Sequence, residues 1–199
     1  MVIGLFWAAS FGDPGTTLRL CLFYELFWLD GIPAGTHIPP NAAGATLAGL
    51  SLMHVFGLSS PAEALLVGSS TAVLARLFAA LEGVGRAVEN IMLSRYLVAV
   101  KRGRLSFRPG RLIRRAACNM VLVNGTAFCV CLFGLITLYS ILLPRVWPYL
   151  STARATWSQL WLLGSLGGIL SLRYRPAYVV LAFGAGLAAL WPLWRLLPL

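Results

Sequence analysis

From Ala116 to Leu143 the chain carries no charged residue, and only Asn119 and Asn124, near the start of the run, are strongly polar. A helix needs roughly 20 consecutive apolar residues to cross the hydrocarbon core of a bilayer. This run is therefore predicted to be a spanning helix, ended by Pro144. The rest of the chain agrees with a lipid solvent: 59% of its residues are hydrophobic and 11% are charged, against roughly 25% charged in soluble domains. Its 199 residues leave room for about five to seven crossings or part-crossings and for no soluble catalytic domain. The predicted fold class is all-α: a polytopic membrane protein of transmembrane or re-entrant helices with one amphipathic connector helix.

The net charge of +10 is read by where it sits. Arg95, Lys101, Arg102, Arg104, Arg108, Arg111, Arg114 and Arg115 make up half of the basic residues. They lie beside long apolar runs, the pattern of a cytoplasmic loop at residues 95–115 rather than of a nucleic-acid surface, which would interleave aromatics for stacking. Cys21, Cys118, Cys129 and Cys131 sit inside apolar runs and read as packed thiols. The apolar start has no basic residues before it, which argues against a cleaved secretion signal.

Along the chain, Val2 to Phe11 is a short apolar run closed by Gly12-Asp13-Pro14-Gly15, and Leu18 to Leu29 is a second run that contains Glu25. Gly31 to Asn41 is rich in Gly and Pro, a helix-breaking composition. Ala42 to Leu58 and Ala62 to Leu81 are predicted helices. The mixed stretch Glu82 to Arg104 is predicted to be amphipathic, and Trp157 to Leu172 and Ala177 to Leu196 are further segments with tryptophans near their ends. Gly164 and Gly168 offer a small-residue face for close helix packing. The predicted organisation is a broken-helix region at 1–81, a connector and basic loop at 82–115, and C-terminal helices at 116–199.

Three of the six acidic residues, Asp13, Glu25 and Asp30, lie among apolar neighbours in the first thirty positions. A carboxylate in lipid costs roughly 2.5 to 3.5 kcal/mol at a helix centre and so faces a partner or a wet cavity. Disrupted helices at membrane depth mark the same kind of place. Asp13, Glu25, Thr36, His37 and Asn41 are the candidate groups for a polyhydroxylated ligand, and Trp28 offers an aromatic face. The plain alternatives are a turn role for Asp13, an ion pair for Glu25 and an interfacial anchor for Trp28. His37 has no phosphate cradle around it, and His37 and His54 have no metal-ligand spacing. No catalytic residue, cofactor or metal site is predicted.

The order Gly12-Asp13, Tyr24-Glu25-Leu26-Phe27-Trp28-Leu29, then Ile32-Pro33-Ala34-Gly35-Thr36-His37-Ile38-Pro39-Pro40-Asn41-Ala42-Ala43 resembles the enzyme IIC subunit of the mannose/fructose/sorbose phosphotransferase family. In that family a Gly-Asp pair ends a membrane segment, a glutamate follows, and a re-entrant stretch leads into an alanine-rich helix. The resemblance is specific over roughly residues 4 to 60; beyond them it rests on hydropathy and order. Family members carry one more span ahead of the segment matching Val2 to Phe11, so against that pattern the chain reads as shortened. Asn41 stands where members commonly have aspartate.

The resemblance implies a sugar permease subunit of a bacterial cytoplasmic (inner) membrane that binds and translocates a hexose-type sugar. It would work with a IID membrane subunit, with the phosphoryl group carried by cytoplasmic IIA and IIB proteins, so the chain is not an enzyme by itself. Asp13, Glu25, Trp28, Thr36, His37 and Asn41 would belong to the sugar site. A homo-oligomer is compatible with this reading; a nucleic-acid partner is not expected. The alternative is a non-transporting membrane scaffold or regulatory partner of such a complex.

Overall fold

Gly12 ends the first helix because it supplies the left-handed conformation that closes one: its φ is +81°, and its N–H donates to the Ala8 carbonyl. The computed structural model describes residues 1–29, 38–102, 109–171 and 178–179, and among them the secondary structure is all-helical. Six helices follow in order: α1 Val2–Phe11, α2 Pro14–Phe27, α3 Ala42–Phe56, α4 Pro61–Lys101, α5 Pro109–Thr152 and α6 Trp157–Ser171. Two of them, α4 and α5, are long and apolar enough to cross a membrane, and α1 and α3 are shorter apolar helices.

The helices form two compact units, Met1–Ile32 with Ala155–Leu199, and Pro33–Arg154. In the first, α2 packs against both α1 and α6. These contacts depend on glycines: a Cβ at Gly4 would fall 2.5 Å from the Cys21 sulfur, and one at Gly168 would fall 2.6 Å from the Leu26 carbonyl oxygen. Gly164 likewise faces the Phe23 carbonyl. The Gly164/Gly168 face is thus used inside the chain, to seat α6 on the backbone of α2. Arg19 on α2 adds two contacts to α6: its guanidinium lies 5.9 Å from the centre of the Trp157 ring, and its carbonyl accepts from the Trp161 indole N–H.

In the second unit α3 and α5 both pack on α4. Ala48, Leu74 and Phe78 form a buried centre, closed by Ala127, Phe128, Cys131, Leu132 and Leu135 of α5. Phe78 meets Phe128 at 6.2 Å between ring centres, and the Ser70 and Tyr139 hydroxyls are 2.9 Å apart. As α4 ascends from 70 to 78, its partners on α5 descend from 139 to 128, so the two helices are antiparallel. Ser60 and Glu63 start α4 with a reciprocal cap, Ser60 Oγ accepting from the Glu63 N–H while the Glu63 carboxylate accepts from the Ser59 and Ser60 N–H groups.

Three expectations are corrected. Ala62–Leu81 and the amphipathic stretch from Glu82 are one continuous helix, because nothing at the junction removes a backbone donor and the Arg86 guanidinium binds Glu82 one turn away, with Nε at 3.1 Å. Pro144 does not end α5, which runs through both Pro144 and Pro148 to Thr152. Each proline removes its own N–H from the ladder and crowds the carbonyl one turn earlier, a local cost that leaves the hydrogen bonds on either side free to continue the helix. The basic stretch 95–115 is also largely helical: Arg95 and Lys101 lie in α4, and Arg111, Arg114 and Arg115 in α5, while 103–108 fall outside the described residues. The sequence divisions at 81 and 115 therefore both fall within helices. The segment Ala177–Leu196 lies almost wholly outside the described residues.

Apolar side chains also cover the outside. Val121 and Phe133 of α5 are 72% and 73% exposed, and Leu122, Val130 and Ile141 are exposed with them, a surface unlike that of a soluble monomer. Replacing Gly168 by Ala should destabilise the first unit by about 1 to 3 kcal/mol, since the methyl group must displace backbone. Gly134→Ala, at a position with open space around it, should leave the melting temperature in detergent unchanged or raise it. Equal melting of the two variants would contradict the α2–α6 contact.

Candidate functional site

The start of α3 is the most unusual place in the second unit. Ile38, Pro39 and Pro40 are not helical, and two prolines in succession leave that backbone without two donors. Ile38 lies beside Gly83 of α4, with its Cδ1 3.6 Å from where a Cβ would stand. Three residues on, the Asn41 N–H donates to the Ala75 carbonyl of α4 at 3.1 Å. The Asn41 side chain then caps α3, accepting from the Gly44 N–H at 2.9 Å. Gly44 sits against the Phe78 ring, 3.2 Å from a would-be Cβ.

The register between α4 and α5 gives this place a depth. Ala75 and Phe78 are level with the α5 residues near Phe128 to Leu132, close to the middle of the uncharged stretch Ala116–Pro144. That stretch is roughly 42 Å long at 1.5 Å per residue. α3 therefore begins near the middle of the uncharged stretch of α5, with non-helical backbone leading into it, and its N-terminal dipole end lies at that level.

In the first unit the predicted residues occupy the two ends of α2. Asp13 is exposed and caps the helix, accepting from the Thr16 N–H at 3.3 Å. Glu25 is in the last turn, more than half exposed, and its carboxylate pairs with the amino group of Met1. The two carboxylates are separated by roughly 18 Å of helix, so α2 does not bring them together. Arg19 faces Trp157 rather than Glu25.

Trp28, just after α2, stands edge-on to Phe27 at 4.7 Å between ring centres. Its indole nitrogen is buried and has no hydrogen-bond partner among the described residues. A buried donor left unmade costs about 1 to 3 kcal/mol, so this N–H is a group that a ligand acceptor would satisfy. Asp30, Thr36 and His37 lie outside the described residues. No group of three or more metal-ligating side chains occurs among the described residues.

One polar residue escaped the sequence analysis. Arg76 is the only charged residue between Glu63 and Glu82, and the signal for it was its isolation inside an apolar run. Compared with protein-family models, with curated proteins and with solved structures, the chain matches none. Asn41→Ala should destabilise α3 by about 1 kcal/mol through loss of the cap, and Asn41→Asp should restore most of it. Identical thermal unfolding of Asn41→Ala and the parent chain would remove Asn41 from the capping role.

Proposed function

We propose that this chain is the sugar-binding permease subunit, of the IIC type, of a phosphoenolpyruvate-dependent sugar phosphotransferase complex in a bacterial cytoplasmic membrane. The observation that carries the reading is the non-helical run Ile38–Asn41, which follows α4 from the level of Gly83 to that of Ala75, beside the uncharged stretch of α5. Backbone of that kind is tolerated inside a bilayer only where protein buries it or a wet cavity faces it, and interrupted helices at mid-depth are where transporters hold their cargo. The exposed apolar flanks of α5 support a lipid surrounding, and the basic residues at the α4 C-terminus and α5 N-terminus support a cytoplasmic position for that end. The family resemblance supplies the sugar and the partners, a IID membrane subunit with IIA and IIB phosphocarriers.

Within this reading the groups have separate tasks. Asp13 and Asn41 cap the helices on either side of the disrupted sequence. The Trp28 N–H, without a partner among the described residues, is offered to a sugar hydroxyl, beneath an aromatic face that suits the apolar side of a pyranose ring. Glu25 accepts from sugar hydroxyls by charge-assisted bonds, each contributing roughly 1.5 to 3 kcal/mol. The chain performs no phosphoryl transfer itself.

Vesicles containing this chain with its IID and IIB partners and phosphorylated IIA, kept charged from phosphoenolpyruvate, should transfer the phosphoryl group to added sugar. Assembly of all four components without that activity would leave the chain a non-transporting scaffold. Trp28→Phe separates ligand binding from packing. It removes a donor that is unmet among the described residues, so the melting temperature should hold or rise while sugar-dependent phosphorylation falls about tenfold or more, the loss expected for one good hydrogen bond. Glu25→Gln should weaken phosphorylation in the same assay without affecting insertion. Unchanged activity in both variants would overturn the assignment of these residues.

A further inference from the structure

Thirteen of the sixteen basic residues follow Glu89, the last acid of the chain, leaving only Arg19, Arg76 and Arg86 ahead of it. The basic end of the second unit must therefore meet its counter-charge elsewhere. Arg95 and Arg102 are exposed, and neither pairs with a carboxylate among the described residues. Glu82, bound to Arg86, and Glu89 are half-buried and lie more than about 100° around α4 from both arginines.

The line on which these arginines stand is otherwise apolar. Val84, Val88, Ile91, Arg95, Val98 and Arg102 are all exposed and recur at spacings of three and four, so they run along one side of the last turns of α4 and its C-cap. From Val84 to Arg95 the line rises roughly 17 Å, close to half of a roughly 30 Å hydrocarbon core, the share of one leaflet. Arg111, Arg114 and Arg115 are exposed at the same end of the antiparallel α5, and Ala116 opens the uncharged stretch directly after them. On both helices apolar surface gives way to guanidinium groups at this end.

That order, apolar surface and then positive charge, is complementary to a phospholipid with its chain and then its phosphate. An acidic soluble protein matches the charges but not the apolar line beneath them. A zwitterionic headgroup brings an ammonium that finds no carboxylate on this side of α4. Guanidinium groups take phosphate oxygens in pairs, and basic residues at a membrane surface attract anionic lipid.

We infer that this line on α4 seats an anionic phospholipid, with its acyl chain along Val84, Val88 and Ile91 and its phosphate held by Arg95 and Arg102. Arg111, Arg114 and Arg115 raise the local concentration of anionic headgroups. The inference rests on the membrane reading above and is independent of the sugar.

The test uses the full-length protein in zwitterionic detergent, with phosphatidylglycerol and phosphatidylcholine added in equal amounts and the bound lipid counted by native mass spectrometry. Phosphatidylglycerol should be retained about tenfold over phosphatidylcholine, the scale of two basic residues meeting an anionic headgroup. Arg95→Gln combined with Arg102→Gln should erase that preference, and Arg95→Lys combined with Arg102→Lys should keep most of it. Arg145→Gln combined with Arg154→Gln removes the same charge from the other end of α5 and should leave the preference intact.

Equal retention of the two lipids, or a preference lost as fully in the Arg145 and Arg154 variant, would overturn the site. Displacement of phosphatidylglycerol by an equal concentration of inorganic phosphate would overturn the lipid as occupant, and displacement by a poly-glutamate peptide would do so in favour of an acidic protein. Flotation with vesicles after an alkaline wash is measured first. A chain that washes off defeats the membrane reading and this inference together; one that floats but retains both lipids equally defeats this inference alone.

Discussion

The antiparallel seat of α4 on α5 is the contact from which the rest of the second unit is measured. Leu74 and Phe78 on one helix and Phe128, Cys131 and Leu135 on the other set its register, and the Ser70–Tyr139 hydrogen bond fastens one end. If lipid surrounds these helices, apolar burial gives no net drive, since acyl chains are as apolar as leucine. Dispersion contacts and interhelical hydrogen bonds then carry the packing. A Tyr hydroxyl that is 1% exposed with its residue and paired to Ser70 is therefore worth more to specificity than another methyl contact. Loss of this register would remove the depth assignment of α3.

Polar groups in the first unit show how one residue can serve structure where function is the first thought. Asp13 satisfies a backbone donor at the start of α2, and the Arg19 carbonyl and guanidinium both face α6. Glu25 has an ion-pair partner in the Met1 amino group, but it is exposed enough to exchange that partner for another. Trp28 differs from all of these, since its N–H is buried and unmet among the described residues. The contrast between satisfied and unsatisfied groups is what sorts caps from candidate ligand contacts.

Much of the fold was legible because its signals are local. The break at Gly12-Asp13-Pro14 and the apolar length of Ala116–Leu143 are written in residues that lie next to one another, and α1 begins and ends where the apolar run does. Errors came where a local rule met tertiary context. Pro144 reads as a stop, yet it removes a single donor and α5 carries on. Glu82 reads as the start of another element, but its partner Arg86 sits one turn further along the same helix. Of the candidate site, the breaks were readable, whereas the capping roles of Asp13 and Asn41 were not read, nor was the absence of a shared position for Asp13 and Glu25, which depends on α2 being one unbroken helix between them.

What the sequence by itself determined is the solvent-level character of the chain: helical, apolar and basic in one place, with its polar exceptions named. Those properties follow from composition and from the reach of the backbone over a few residues. Only the tertiary structure decided that α3 begins beside Ala75, that Gly164 and Gly168 meet the backbone of α2, and that Phe78 meets Phe128. Each of these is a relation between residues distant in sequence. Side-chain packing settles such relations, because the register of one helix on another is chosen by which knobs and gaps coincide.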